Sequence, residues 1–135
     1  MGTHLGDYLR SRRDERGSVS IELVILLPAL FAVMFLGMQA ALFYHARTVA
    51  IAAAQEGARA AGGENGQAAD GVSAASSFIA DAGGDDVLTG TSATANRTAT
   101  RVTVTVTGRS LSVIPGWHPE IVQSASLPVE RVTAP

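Results

Sequence analysis

The chain contains no cysteine, so it has neither a disulfide nor a thiolate metal site. That absence names no compartment, but it means that any exported domain must hold together by packing alone. Lysine is missing too; all basic residues are arginine, which reads as genome composition rather than chemistry. Aromatic residues make up only 5% of the sequence, while Ala, Gly, Thr and Val abound, so a folded domain here has small side chains and a thin core. The formal charge of −2 gives no electrostatic ground for binding nucleic acid, and none is expected as a partner. A length of 135 residues has room for one small domain plus a tail or an anchor.

What the sequence does have is one long apolar run. From Ser18 to Tyr44 the only charge is Glu22. Leu23 to Tyr44 spans about 33 Å at the helical rise, close to the ~30 Å hydrocarbon core of a bilayer. It holds twelve Leu, Ile, Val or Phe residues. At roughly −0.3 to −0.6 kcal/mol each they contribute about −4 to −7 kcal/mol towards insertion, an upper bound because residues near the ends count for less. A carboxylate at mid-membrane costs about 2.5–3.5 kcal/mol, but Glu22 lies at the edge and stays partly hydrated. The segment therefore reads as a single membrane span, with the lipid bilayer as its first partner. Arg10, Arg12, Arg13 and Arg16 precede it, and only Arg47 and Arg59 follow closely. That bias puts residues 1–17 in the cytoplasm and the rest outside. A cleaved secretory signal is the rival reading, but its apolar core runs to only about 7–15 residues, and Gln39-Ala40-Ala41 makes a poor cleavage site. Pro28 removes one backbone hydrogen bond inside the helix, which membrane helices tolerate when neighbours satisfy the freed carbonyl.

Helical character continues beyond the membrane. Ala46, Ala50, Ala53, Gly57 and Ala60 recur at steps of four and three, a narrow stripe that lets another helix or a sheet approach closely. A plain Ala-rich helix with good propensity is the competing reading. Glu56 and Arg59 have the spacing of a weak surface pair. Gly62-Gly63 ends the helix. A second helix is expected from Gln67 to Ala82, with Asn65 as a cap. The period then changes. Arg101 to Thr107 alternates strictly, with Val102, Val104 and Val106 on one face, as a half-buried antiparallel strand does. Residues 121–129 alternate as well, with Pro128 marking an end or an edge. A weaker strand is expected over about 87–95, where Gly90 argues against regularity. Trp117, in a loop bracketed by Pro115-Gly116 and Pro119, reads as a packing residue.

The expected fold class is α+β: a long N-terminal transmembrane helix, a short helix and a small three-stranded antiparallel sheet. The expected organisation is a basic leader over 1–17, a membrane helix over 18–45 and an extracytoplasmic domain over 46–135, whose helix extension covers 46–61.

Catalytic motifs are absent: the sequence has no phosphate loop, nucleophile elbow or His-Glu-x-x-His pattern. His4, His45 and His118 are scattered. Asp85-Asp86 is an acidic pair without the further spaced ligands that calcium needs. Asn96-Arg97-Thr98 matches a glycosylation sequon, which has meaning only in a host that glycosylates. No cofactor, metal or enzymatic activity is expected.

The order of basic leader, Gly17, four residues, Glu22 and apolar helix reads as a prepilin. With Pro28, Ala46-Arg47 and Gln55-Glu56-Gly57-Ala58-Arg59, the stretch from Arg16 to Ala61 resembles the TadE-like family, pilin-like proteins of the Tad/Flp pilus assembly system. The Val/Thr strand, the Pro-Gly loop and the closing Val129-Glu130-Arg131 fit the wider pattern. Leu23 stands where family members usually carry Tyr or Phe after the Glu. The resemblance implies a minor pilin or pseudopilin cut by a prepilin peptidase between Gly17 and Ser18. In it Glu22 would set subunit register, and Pro28, Ala46, Ala50, Ala53 and Gly57 would serve helix packing. Other pilin-like subunits and the Tad assembly platform are the implied partners. The alternatives are a membrane-anchored structural or adhesion protein that never polymerises, and a membrane-tethered enzyme.

Overall fold

The computed structural model describes residues 4–133, and side chains from Arg16 to Thr133. The first three residues of the expected leader lie outside this range, as do the side chains of His4, Arg10, Arg12 and Arg13. The elements are helix α1 (His4–Gly62), helix α2 (Ala68–Asp81), a 3-10 turn (Gly84–Asp86), and strands β1 (Leu88–Arg97), β2 (Arg101–Ser110) and β3 (Glu120–Pro128). The fold is α+β, with a long N-terminal apolar helix, a short helix and a three-stranded antiparallel sheet ordered β1-β2-β3. Contacts divide the chain into two compact units, Met1–Gly37 and Met38–Pro135.

Within Met1–Gly37 the described part is helix alone. Its apolar side chains, from Val19 to Leu36, are about half or more exposed. Pro28 sits inside the helix, so the carbonyl of Val24 loses its usual donor.

Within Met38–Pro135 the core is thin, as the composition requires. Half of its buried apolar residues are alanine: Ala46, Ala50, Ala53, Ala54, Ala58, Ala61 and Ala75. They are joined by Val49, Ile79, Leu88, Ile121 and the three valines of β2, all buried. Strict alternation sends Val102, Val104 and Val106 into this core and leaves Thr103, Thr105 and Thr107 on the other face. There the register sets Thr103 opposite Ser126 and Thr105 opposite Ser124. Each pair joins its hydroxyls at 2.7 Å, a cross-strand contact worth roughly 0.2–1 kcal/mol. Gly90 does not end β1. It adopts φ 56° and marks a register shift between Thr89 and Ser92, a bulge within the strand.

The small-residue stripe on α1 is occupied by its own unit. Ala46, Ala50, Ala53 and Gly57 are buried, and the stripe continues through Ala61 rather than the half-buried Ala60. A Cβ on Gly57 would lie 2.6 Å from the carbonyl oxygen of Gly71 in α2 and 3.0 Å from Val104 of β2. α2 is capped by Gln67 instead of the expected Asn65, and Asp70 reaches back to accept from the Gln67 N–H at 2.8 Å. The end of α1 is capped from a distance. Arg97 of β1 donates from Nη1 to the carbonyls of Ala61 (2.6 Å) and Gly63 (3.0 Å) and to that of Gly66, while the Glu130 N–H donates to Gly62 at 2.9 Å. A guanidinium here satisfies carbonyls that the helix leaves open and complements the negative end of its dipole.

At the other end of this unit Gln39 is buried, with 3% exposure. Its Oε1 accepts from the Val113 N–H at 2.9 Å and the Ser112 hydroxyl at 3.0 Å, and its Nε2 lies 3.5 Å from the Leu111 carbonyl oxygen. The β2–β3 connection is thus fastened to the helix by one amide. Trp117, expected as a packing residue, is half exposed on this connection.

Two outcomes follow from these close contacts. Gly57→Val should lower the stability of the unit Met38–Pro135 by about 1–3 kcal/mol, since the opposing atom is backbone and cannot step aside; chemical unfolding in detergent measures it. Gln39→Leu should cost a similar ~1–3 kcal/mol by stranding the Val113 N–H, and should speed proteolysis within residues 111–117, read by mass spectrometry of the first fragments.

Candidate functional site

The residues singled out for processing and assembly all lie on α1. Gly17 is exposed within the helix, and a Cβ added there would meet nothing within 4 Å. No packing explains its glycine. A glycine in a helix interior costs about 0.8–1.0 kcal/mol relative to alanine. Ser18 and Glu22 are exposed as well. They stand four residues apart, one turn along the same face. The one ion pair among the described residues is Arg59–Glu56 at 3.1 Å on the surface of α1. Glu22 therefore has no cationic partner among them, although the side chains that flank it are apolar and exposed.

Pro28 follows six residues after Glu22, inside the exposed apolar stretch. Ala46, Ala50, Ala53 and Gly57 are not near these residues in sequence, and they are buried in the other compact unit. The candidate site thus separates into two parts. Gly17, Ser18, Glu22 and Pro28 form an exposed set on one stretch of helix, while the small residues are part of the core of the unit Met38–Pro135.

Sequence reasoning missed two residues. Gln39 is the only amide in the apolar run, and that was the available signal: a lone amide there needs a partner. From Gln39 onward one face of α1 is covered by protein, with Ala46, Val49 and Ala50 buried beyond it. Arg97 gave no sequence signal, because its carbonyl partners lie more than thirty residues away. Among the described residues no group of three or more His, Asp or Glu side chains is gathered as a metal site would need. His45 and His118 are both exposed.

One helix is long and apolar enough to cross a membrane by length and composition, and none of its most apolar stretch is buried. This fits a single-pass membrane anchor. No curated protein and no solved structure matches the chain. Residues 17–59 match the family model described as TadE-like protein, so the stretch of α1 that begins at Gly17 and carries Glu22 and Pro28 is similar to that of TadE-like proteins, a family tied to the Tad pilus.

Proposed function

We propose that this protein is a minor pilin or pseudopilin that takes part in assembling a Tad/Flp-type pilus, and that it matures by cleavage between Gly17 and Ser18. It does no catalysis of its own. The observation that carries the reading is the exposed Gly17–Glu22 set at the head of an unburied apolar helix, inside the segment that matches the family. The N-terminus faces the cytoplasm, where a membrane-embedded prepilin peptidase reaches the Gly17–Ser18 bond, and the unit Met38–Pro135 lies on the far side.

Cleavage leaves an ammonium at Ser18. In an assembled fibre or cap, the Glu22 carboxylate of one subunit pairs with the Ser18 ammonium of a neighbour. In a low-dielectric setting, leaving one member of such a pair unmatched costs about 3–5 kcal/mol, so the pair enforces axial register. Packing between subunits falls to the exposed side chains from Val19 to Leu36, because the small-residue stripe from Ala46 onward is already used within its own unit. A large outer unit suits a minor or priming subunit. An anchored protein that never polymerises is separated from this reading by its retained leader.

Two substitutions test the two steps. In cells that have the peptidase, Gly17→Val should leave an uncut protein of higher apparent mass in the membrane fraction, while N-terminal sequencing of the unaltered protein should begin at Ser18. An unchanged band would remove Gly17 as the processing site. Glu22→Ala should still be inserted and cut, yet recovery in sheared surface fibres, or the number of pili per cell, should fall at least tenfold, the factor that about 1.4 kcal/mol represents. Normal piliation in that variant would end the register role.

A further inference from the structure

Asn65-Gly66 is the single Asn-Gly pair of the chain. Asparagine is chemically labile, and most so before glycine, where no side chain shields the next amide nitrogen. That nitrogen attacks the asparagine Cγ, the Cγ–Nδ2 bond breaks, and Nδ2 leaves as ammonia with the amide proton. Water then opens the resulting succinimide ring at either carbonyl, giving aspartate or isoaspartate. The fold places this pair in the open, because Asn65 is exposed in the turn between α1 and α2. The fold also forbids any other residue at position 66. A Cβ there would lie 2.7 Å from the carbonyl oxygens of both Ala60 and Ala61, so close approach to the end of α1 requires glycine.

The same turn holds the reaction back. The Gly66 N–H, whose nitrogen is the nucleophile, donates to the Gly63 carbonyl at 2.9 Å and closes a turn. The Gly66 carbonyl accepts from Arg97 Nη1, which also holds the carbonyls of Ala61 at 2.6 Å and Gly63 at 3.0 Å. Gly66 is tied through both its N–H and its carbonyl, and its nitrogen swings towards the Asn65 side chain only when these bonds release. We propose that Asn65 is a modification site controlled by the Arg97 cap: silent while the cap is closed, and converted to aspartate and isoaspartate when it opens. The change runs one way. Isoaspartate routes the main chain through the former side chain and adds a carbon between residues 65 and 66, which moves Gly66 off the Ala60 and Ala61 carbonyls. The new carboxylate stands next to Glu64, near the negative end of the α1 dipole, where another anion is unfavourable. An opening of the cap is thus recorded covalently, and the original closed form is not regained. The site needs neither a membrane nor a second subunit.

The full chain is incubated in detergent at mildly alkaline pH, and in guanidinium chloride at the same pH. Conversion at Asn65 is followed by mass spectrometry of the peptide that carries it, with fragmentation that separates isoaspartate from aspartate. The folded chain should convert roughly tenfold more slowly than the unfolded one, or slower still, the factor that about 1.4 kcal/mol of barrier represents. Arg97→Met should lose most of that protection. Gln39→Leu, which loosens the opposite end of the same unit, should keep it. Arg97→Lys retains a cationic donor and should convert at a rate between the two; it carries the same test if the methionine variant does not fold. The converted fraction, separated by ion exchange, should be cut faster by protease within residues 62–67. Equal rates in the folded and unfolded chain, or no conversion even when unfolded, would overturn the site. Full protection in a folded Arg97 variant would overturn control by the cap, and unaltered cutting of the converted fraction would overturn its one-way character.

Discussion

Backbone-distance packing between α1 and α2 is the constraint on which the unit Met38–Pro135 depends. Gly57 and Gly71 face one another so closely that a Cβ on either would strike the other's carbonyl oxygen, at 2.6 and 3.0 Å. A domain with few aromatics and no disulfide cannot build a deep core, so it brings its elements close together instead. Small residues at the crossing let α1 lie on the β2 valines, where Val104 comes within contact of both glycine positions. The individual dispersion gains are small, but many atoms meet at optimal distance. The same logic recurs at Gly108, where Leu88, the largest of the fully buried side chains, fills the space a Cβ would take.

Polar groups close this shallow core at its two ends. Arg97 and the Glu130 N–H collect the open carbonyls at the end of α1. Gln39 fastens the β2–β3 connection near the start of the unit. Each is one side chain or backbone group joining segments far apart in sequence, and each satisfies groups that burial would otherwise penalise. Among the described residues, Ser110 Oγ is the one buried side-chain polar atom left without a partner.

The exposed apolar stretch of α1 obeys a different economy of forces. In lipid its side chains need no protein partner, and its helical backbone satisfies itself except at Pro28. The Glu22 carboxylate at the rim of this helix is exposed and has no cationic partner among the described residues. That separates the two halves of the chemistry. The apolar stretch holds the residues proposed for maturation and register, and the small-residue stripe is buried within the unit Met38–Pro135.

Much of this was legible in the chain alone because its signals are local. The α+β class, the alternation of Val102 to Thr107, the Gly17–Glu22 spacing and the long apolar run depend on periodicity, and periodicity is written in consecutive residues. What the tertiary structure decided is every matter of which face meets what. The stripe of Ala46, Ala50, Ala53 and Gly57 announces a close approach, yet only the fold shows that α2 and β2 occupy it. Gly90 looked like a strand breaker and became a bulge, because cross-strand pairing resumes at Ser92. Trp117 reads as a packing residue in the sequence and stands half bare in the fold. Gln39 and Arg97 find their partners across 74 and 36 residues, separations that no local pattern encodes. Sequence determined which segments are helix, strand and membrane-length; contact between remote segments determined which of their side chains remain free to act.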